Sequence, residues 1–169
     1  MTATTMCRST RARALTVAFT VALTGCSGGF PADPDGTLEQ VRGGELRVGV
    51  SPAPPWTVLP PPDTPDAEPS GSEVDLVTAF AEHLGADVTW VVGGEEDLIG
   101  QLERSELDLV VGGLTAQSPW QGKAALTYPY GTTTGPEGKP EKRVMAAPLG
   151  ENAFLVELER FLLARKDDR

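Results

Sequence analysis

Residues 73–111 run EVDLVTAFAEHLGADVTWVVGGEEDLIGQLERSELDLVV, and the changes of period along this stretch decide the fold. Val74, Val77, Phe80, Ala81 and Leu84 recur at three- and four-residue steps, so they share one face of a helix, with Ser72 as its N-cap and Gly85 as its stop. Residues 87–92 are strand-like, and Gly93-Gly94 turns the chain. A second helix is predicted over 95–104. Its Glu95, Glu96 and Asp97 sit in the first turn, where the helix dipole favours negative charge. Residues 108–111 are almost wholly apolar and read as a strand that ends in Gly112-Gly113.

Upstream, LRVGV at 46–50 alternates and is rich in β-formers, which predicts a first strand. The order strand, helix, strand, helix, strand is that of an α/β fold, with a mostly parallel sheet and helices on both faces. Residues 52–72, between the first strand and the first long helix, are crowded with proline, including Pro60-Pro61-Pro62. Proline enters neither a helix interior nor a central strand, so this is a long loop. Downstream, 126–130 reads as a short extended segment, 131–141 as a Gly/Thr/Pro linker, and 143–147 as a last strand. Residues 151–165 form an amphipathic helix on Phe154, Leu155, Leu158, Phe161 and Leu162. Ligands of such sheets sit at the carboxyl ends of the strands. Here those ends carry the Pro54-Pro55-Trp56 and Gly112-Gly113-Leu114-Thr115 loops.

The N-terminal 1–25 read as a signal peptide. Arg8, Arg11 and Arg13 form a basic start, and the apolar run ALTVAFTVAL at 14–23 is too short to span a bilayer as a helix. It leads into Leu23-Thr24-Gly25-Cys26, which resembles the lipobox of bacterial lipoproteins. The expectation is cleavage before Cys26 and acylation of its thiol, including palmitate. One acyl chain holds a protein only marginally, whereas each buried methylene adds ~0.8 kcal/mol and two chains anchor it. Residues 26–45 then form a lipidated tether and linker, and 46–169 form one domain. Of the two cysteines, Cys7 lies before the cleavage point, so the mature chain has no cysteine pair for a disulfide or a zinc site.

Cleavage there removes three arginines and no acid, taking the formal net charge from −10 to −13. Such a surface argues against nucleic acid, which needs basic patches. The Glu95, Glu96, Asp97 cluster reads as a helix start rather than a metal site, and no cofactor is expected. His83, the only histidine, reads as a surface residue near a helix end.

The series LRVGVSPAPPW, GSEVDLVTAFAEHLGADVTWV, LIGQLERSELDLVVGGLT and LTYPY resembles solute-binding protein family 3, with good register over 46–130. These are the amino-acid-type extracellular receptors of ABC importers. VMAAPLGENAFLVELERFL resembles the segment where such a chain returns to its first lobe. The resemblance implies a periplasmic-binding-protein type II-like lobe, of which only the first is present, with a short linker over 131–143 in place of lobe two. It implies no enzyme but a membrane-anchored, extracytoplasmic binding protein, with a small-molecule solute and an ABC permease or other membrane protein as partners.

By the same resemblance, the candidate ligand-binding residues are Trp56, Gly112, Gly113, Thr115, Gln117 and Trp120. Trp56 stands where the family places an aromatic that stacks on ligand. Thr115 follows two glycines that let a ligand approach the backbone. Gln117 replaces a usual threonine, and Trp120 stands at the position of the arginine that grips the ligand's carboxylate. An indole cannot replace a bidentate guanidinium, so the amino-acid carboxylate clamp is absent at that position. Asp75 falls at the helix start. A single-lobe protein-interaction module, or a degenerate receptor docking a membrane partner, is the alternative reading. An enzyme would need convergent acid and base groups, and the loops near Thr115 offer neither a histidine nor paired carboxylates.

Overall fold

The computed structural model describes residues 31–64, 67–135 and 137–167; the segment 1–25 expected to be a signal peptide, and Cys26 as the expected lipid site, lie outside these residues. The elements in chain order are α1 (Thr37–Val41), β1 (Glu45–Val50), α2 (Ser72–Leu84), β2 (Asp87–Val92), α3 (Glu95–Glu103), β3 (Leu109–Val111), β4 (Ala125–Leu126), β5 (Gly131–Thr134), β6 (Pro140–Arg143), β7 (Ala146–Ala147) and α4 (Asn152–Asp167). The main sheet has the order β2-β1-β3-β7-β4. β1 pairs in parallel with β2 and β3, with Val48 opposite both Trp90 and Leu109. β7 runs antiparallel between β3 and β4. Among the described residues no helix is long and apolar enough to cross a membrane.

The period-two alternation of β1 divides the core. Leu46, Val48 and Val50, with Leu109 and Val111 of β3, point to the face covered by Val77 and Phe80 of α2 and by Phe154 and Leu158 of α4. The Phe80 ring meets Phe154 edge-on, with centroids 5.9 Å apart, and full burial of one such side chain contributes about 1.5–3 kcal/mol. The opposite face carries Val110 and Ala146 beneath Leu98, Ile99 and Leu102 of α3. Gly49 faces the same way, and a Cβ there would lie 2.8 Å from Leu107 Cδ1 and 3.0 Å from Leu98 Cδ2. The absent side chain is what lets α3 seat close to β1. The parallel β1–β3 pair is also pinned by a fork of charge-assisted bonds. Arg47 Nε and Nη2 donate to Asp108 at 3.0 and 2.5 Å, and the Arg47 amide donates to the same carboxylate at 2.8 Å.

Three local expectations are revised. The N-cap of α2 is Gly71, and Ser72 is the first helical residue. Gly71 holds φ +118°, and any Cβ at this position would stand 2.3 Å from the Trp56 carbonyl oxygen, so only glycine fits. Residues 131–143 are not an unpaired linker: β5 and β6 form an antiparallel hairpin with Gly131 opposite Arg143 and Thr134 opposite Pro140. The β-branched run Thr132–Thr134 suits a strand, and the turn is closed by Gly135 N–H to Lys139 O at 2.8 Å and Gly138 N–H to Gly135 O at 2.9 Å. The extended segment over 126–130 is a strand only at Ala125–Leu126; beyond it single backbone bonds run from Thr127 N–H to Met145 O and from Tyr130 N–H to Arg143 O, and Tyr128 stands exposed.

The proline-rich loop is ordered at its base, where Val58 and Ser70 exchange backbone hydrogen bonds of 2.7 and 2.9 Å. α1 is held to α4 by Glu151, which accepts the amides of Asp35 and Thr37 at 2.9 and 3.0 Å.

Candidate functional site

The loops after β1 and β3 diverge at the carboxyl edge of the sheet, as the topology requires. The first is a tight turn. The buried Thr57 hydroxyl donates to Ser51 O at 2.5 Å and accepts the Ala53 amide at 2.9 Å. The Pro54–Pro55 peptide within it is cis. This turn presents Trp56, half-buried, toward the second loop. Gly113 there has φ +68°, and a Cβ on it would come within 2.8 Å of Ala53 Cβ and 3.2 Å of Trp56 Cδ1. Glycine is therefore required for the indole to lie against the β3 loop.

Beneath the two loops is a carboxylate. Glu73, in the first turn of α2, has no solvent exposure. Its Oε2 accepts the amides of Gly112 and Gly113 at 3.1 and 2.9 Å, and its Oε1 accepts the Tyr130 hydroxyl. Arg143, at the end of β6, brings its Nη1 to 3.8 Å from Glu73 Oε1. The Arg143 guanidinium carbon lies 3.9 Å from the Trp56 ring centroid and 5.1 Å from that of Tyr130. Its backbone is fixed on both sides: Ala116 N–H donates to Lys142 O at 2.8 Å, Val144 N–H to Leu114 O at 3.0 Å, and Tyr130 N–H to Arg143 O at 3.2 Å. Burial, reinforced by the adjacent Glu73, pushes the Tyr130 hydroxyl far above its ordinary pKa, so it stays a proton donor.

The structure brings Trp56, Gly112, Gly113 and Thr115 together at this edge. Thr115 is half-buried and bridges to Arg143 across the strands. Its Oγ1 receives the Gln117 amide at 3.4 Å, and its own amide donates to Ser118 Oγ at 3.1 Å. The amides of Gly112 and Gly113 already serve Glu73, so what these glycines offer is close approach and not free donors. Gln117 is exposed on the turn. Trp120 packs with the α3-side core and donates its indole N–H to Glu95. Asp75 is exposed in the first turn of α2, and His83 meets Glu157 Oε1 at 3.0 Å. Among the described residues no group of three or more metal-ligating side chains comes together.

Sequence reasoning missed Glu73 and Arg143 and gave Tyr130 no role. Glu73 carried a signal: it shares the helical stripe of Val77, Phe80 and Leu84, and a carboxylate on an apolar stripe needs buried partners. Arg143 carried only a faint one, as the last of the charges Glu141, Lys142 and Arg143 before the apolar run 144–147. At this edge the Trp56 ring and Thr115 are partly exposed, and the Arg143 guanidinium behind them is nearly buried. Both Glu73 oxygens are engaged, Oε2 by the amides of Gly112 and Gly113 and Oε1 by the Tyr130 hydroxyl, and the side chain has no exposure.

The profile of the bacterial extracellular solute-binding proteins, family 3, matches residues 46–167. Among solved structures, the arginine-bound form of domain 1 from TmArgBP aligns with TM-score 0.63 and 24% identity, covering 75% of this chain and 97% of that one. An ancestral cationic amino acid solute binding protein aligns with TM-score 0.65 and 16% identity, over 78% and 94% of the two chains. The L-cystine solute receptor of Neisseria gonorrhoeae, unliganded and open, gives TM-score 0.62 and 12% identity, over 78% and 91%. At these identities the likeness is one of fold. No curated protein matches the chain.

Proposed function

The chain belongs to the bacterial extracellular solute-binding proteins, family 3, and we propose that it serves as a single-lobe solute receptor held by lipid on Cys26 to the outer face of a membrane. The observation that carries the binding role is the convergence of Trp56, Gly113 and Thr115 where the β1 and β3 loops part. That a lobe suffices is supported by a solved structure described as the arginine-bound form of domain 1 from TmArgBP. The reading is one of binding rather than catalysis, although one neighbour of the fold is described as a precursor of a cyclohexadienyl dehydratase. Here Glu73 is already engaged by the amides of Gly112 and Gly113 and by Tyr130.

An open lobe buries less of a small ligand than a closed cleft, so affinity is modest. Tethering offsets this by keeping receptor and transporter at high local concentration, and the partner in this reading is an ABC permease. Calorimetry of the purified chain against a metabolite library tests it: one compound class should give saturable heat, and heat from none sinks the reading.

The alternative, a docking module, is favoured by exposed Tyr128 and Leu163, which line one groove beside β5 and β6. Sedimentation at rising concentration separates self-association from a monomeric receptor.

A further inference from the structure

The guanidinium of Arg143 is placed as a bound ligand would be. Trp56 comes from the β1 loop, Tyr130 from the segment after β4, and Glu73 from α2; together they make two aromatic faces and a carboxylate around one planar cation. Aromatic faces beside a carboxylate are the recognition chemistry of guanidinium and other organic cations. The Arg143 side chain is only 7% exposed. Its Nε and Nη1 are buried and find no hydrogen-bond partner among the described residues. Buried arginines that serve packing alone ordinarily have their donors satisfied, whereas this one is held by ring faces and one anion. The chain also leaves room for it: a Cβ on Gly131 would stand 2.9 Å from Nη2.

We propose that Arg143 is a built-in occupant, its guanidinium filling a planar-cation subsite of Trp56, Tyr130 and Glu73 and so barring cationic solutes from the native chain. The inference rests on the reading of this sheet edge as the solute site. The native receptor then takes a neutral or anionic solute, placed beside Thr115 with the guanidinium as part of the wall. Removal of the side chain leaves a hole shaped and charged for a guanidinium ion.

The test is rescue of Arg143→Ala by methylguanidinium chloride at millimolar concentrations, read by thermal midpoint and tryptophan fluorescence against equal potassium chloride. The native midpoint should not respond. The variant should melt lower and regain stability saturably, and the added Trp56→Ala change should abolish the response. A folded Arg143→Ala chain that ignores methylguanidinium, or a native chain that binds it equally, overturns the proposal. Should the variant not fold, nitrogen-edited spectra of the native chain decide. One arginine Nε–H should be slow to exchange and ring-shifted, and the shift should vanish in Trp56→Leu; its absence overturns the proposal. Failed rescue in a chain that still binds a solute removes this inference alone. Rescue in a chain that binds no solute removes the receptor reading alone.

Discussion

Replacing Glu73 by glutamine keeps the shape beneath the two loops and removes the charge. The carboxylate accepts two amides at 3.1 and 2.9 Å and the Tyr130 hydroxyl, with no solvent to compensate any loss. Hydrogen bonds to a charged group contribute about 1.5–3 kcal/mol against about 0.5–1.5 for neutral ones, so the change costs roughly 1 kcal/mol per bond, or about 3 in all. It also strands Arg143, whose nearest anion lies 3.8 Å away, and breaking one partner of a buried pair costs about 3–5 kcal/mol. The two effects overlap, so the expected loss is about 3–5 kcal/mol. At about 2–4 °C per kcal/mol for a domain of this size, the thermal midpoint falls by roughly 10 °C. Arg143→Met added to Glu73→Gln removes the stranded charge, and the double variant should lose about 1–3 kcal/mol less than the sum of the singles. Urea denaturation followed by far-ultraviolet circular dichroism on the four proteins measures this cycle. A Glu73→Gln chain within about 1 kcal/mol of native, or a strictly additive double variant, refutes the reasoning.

Other consequences follow from the packing and the termini. Gly49→Ala forces a Cβ into Leu107 and Leu98 at 2.8 and 3.0 Å and should cost about 1–3 kcal/mol in the same denaturation assay. Burial works to raise the pKa of Glu151, but the amides of Asp35 and Thr37 outweigh it and hold the carboxylate below its ordinary value. With a depressed folded pKa, its contribution is complete above the unfolded value of about 4.3 and is lost as pH falls through the folded value. Glu151→Gln should therefore flatten the acid limb of the stability profile, and hydrogen exchange of the α1 amides should rise already at neutral pH. Cys26→Ser should release the protein from membranes into the medium; retention in the membrane fraction counts against the lipid anchor.

The layered fold was legible because residues 73–111 switch cleanly between periods, and α2, β2, α3 and β3 fall close to where those switches lie. The helix start was displaced by one residue because the close approach of Gly71 to the Trp56 carbonyl is a tertiary contact, invisible to local capping rules. The hairpin of β5 and β6 was hidden for a related reason. Glycine and proline in 131–143 read as breakers, yet Gly131 and Pro140 lie at strand ends and Gly135 and Gly138 in the turn, leaving the threonines free to pair. At the site, loops placed by topology could be anticipated, as with Trp56 and Thr115. What a side chain from a distant element would do there could not. Arg143 reaches the sheet edge from the end of β6, beside the Thr115 turn with which it bridges, and no local pattern announces that contact. Trp120 itself was drawn to the α3 face, where Glu95 accepts its indole N–H.

One titration decides the receptor reading: neutral and anionic metabolites into the native chain and into Trp56→Ala and Thr115→Ala variants, followed by calorimetry. On that reading the native chain binds one solute class saturably, and binding weakens at least tenfold (about 1.4 kcal/mol) in either variant, with both variants folded. Binding that ignores both substitutions, or heat from no compound at all, contradicts it.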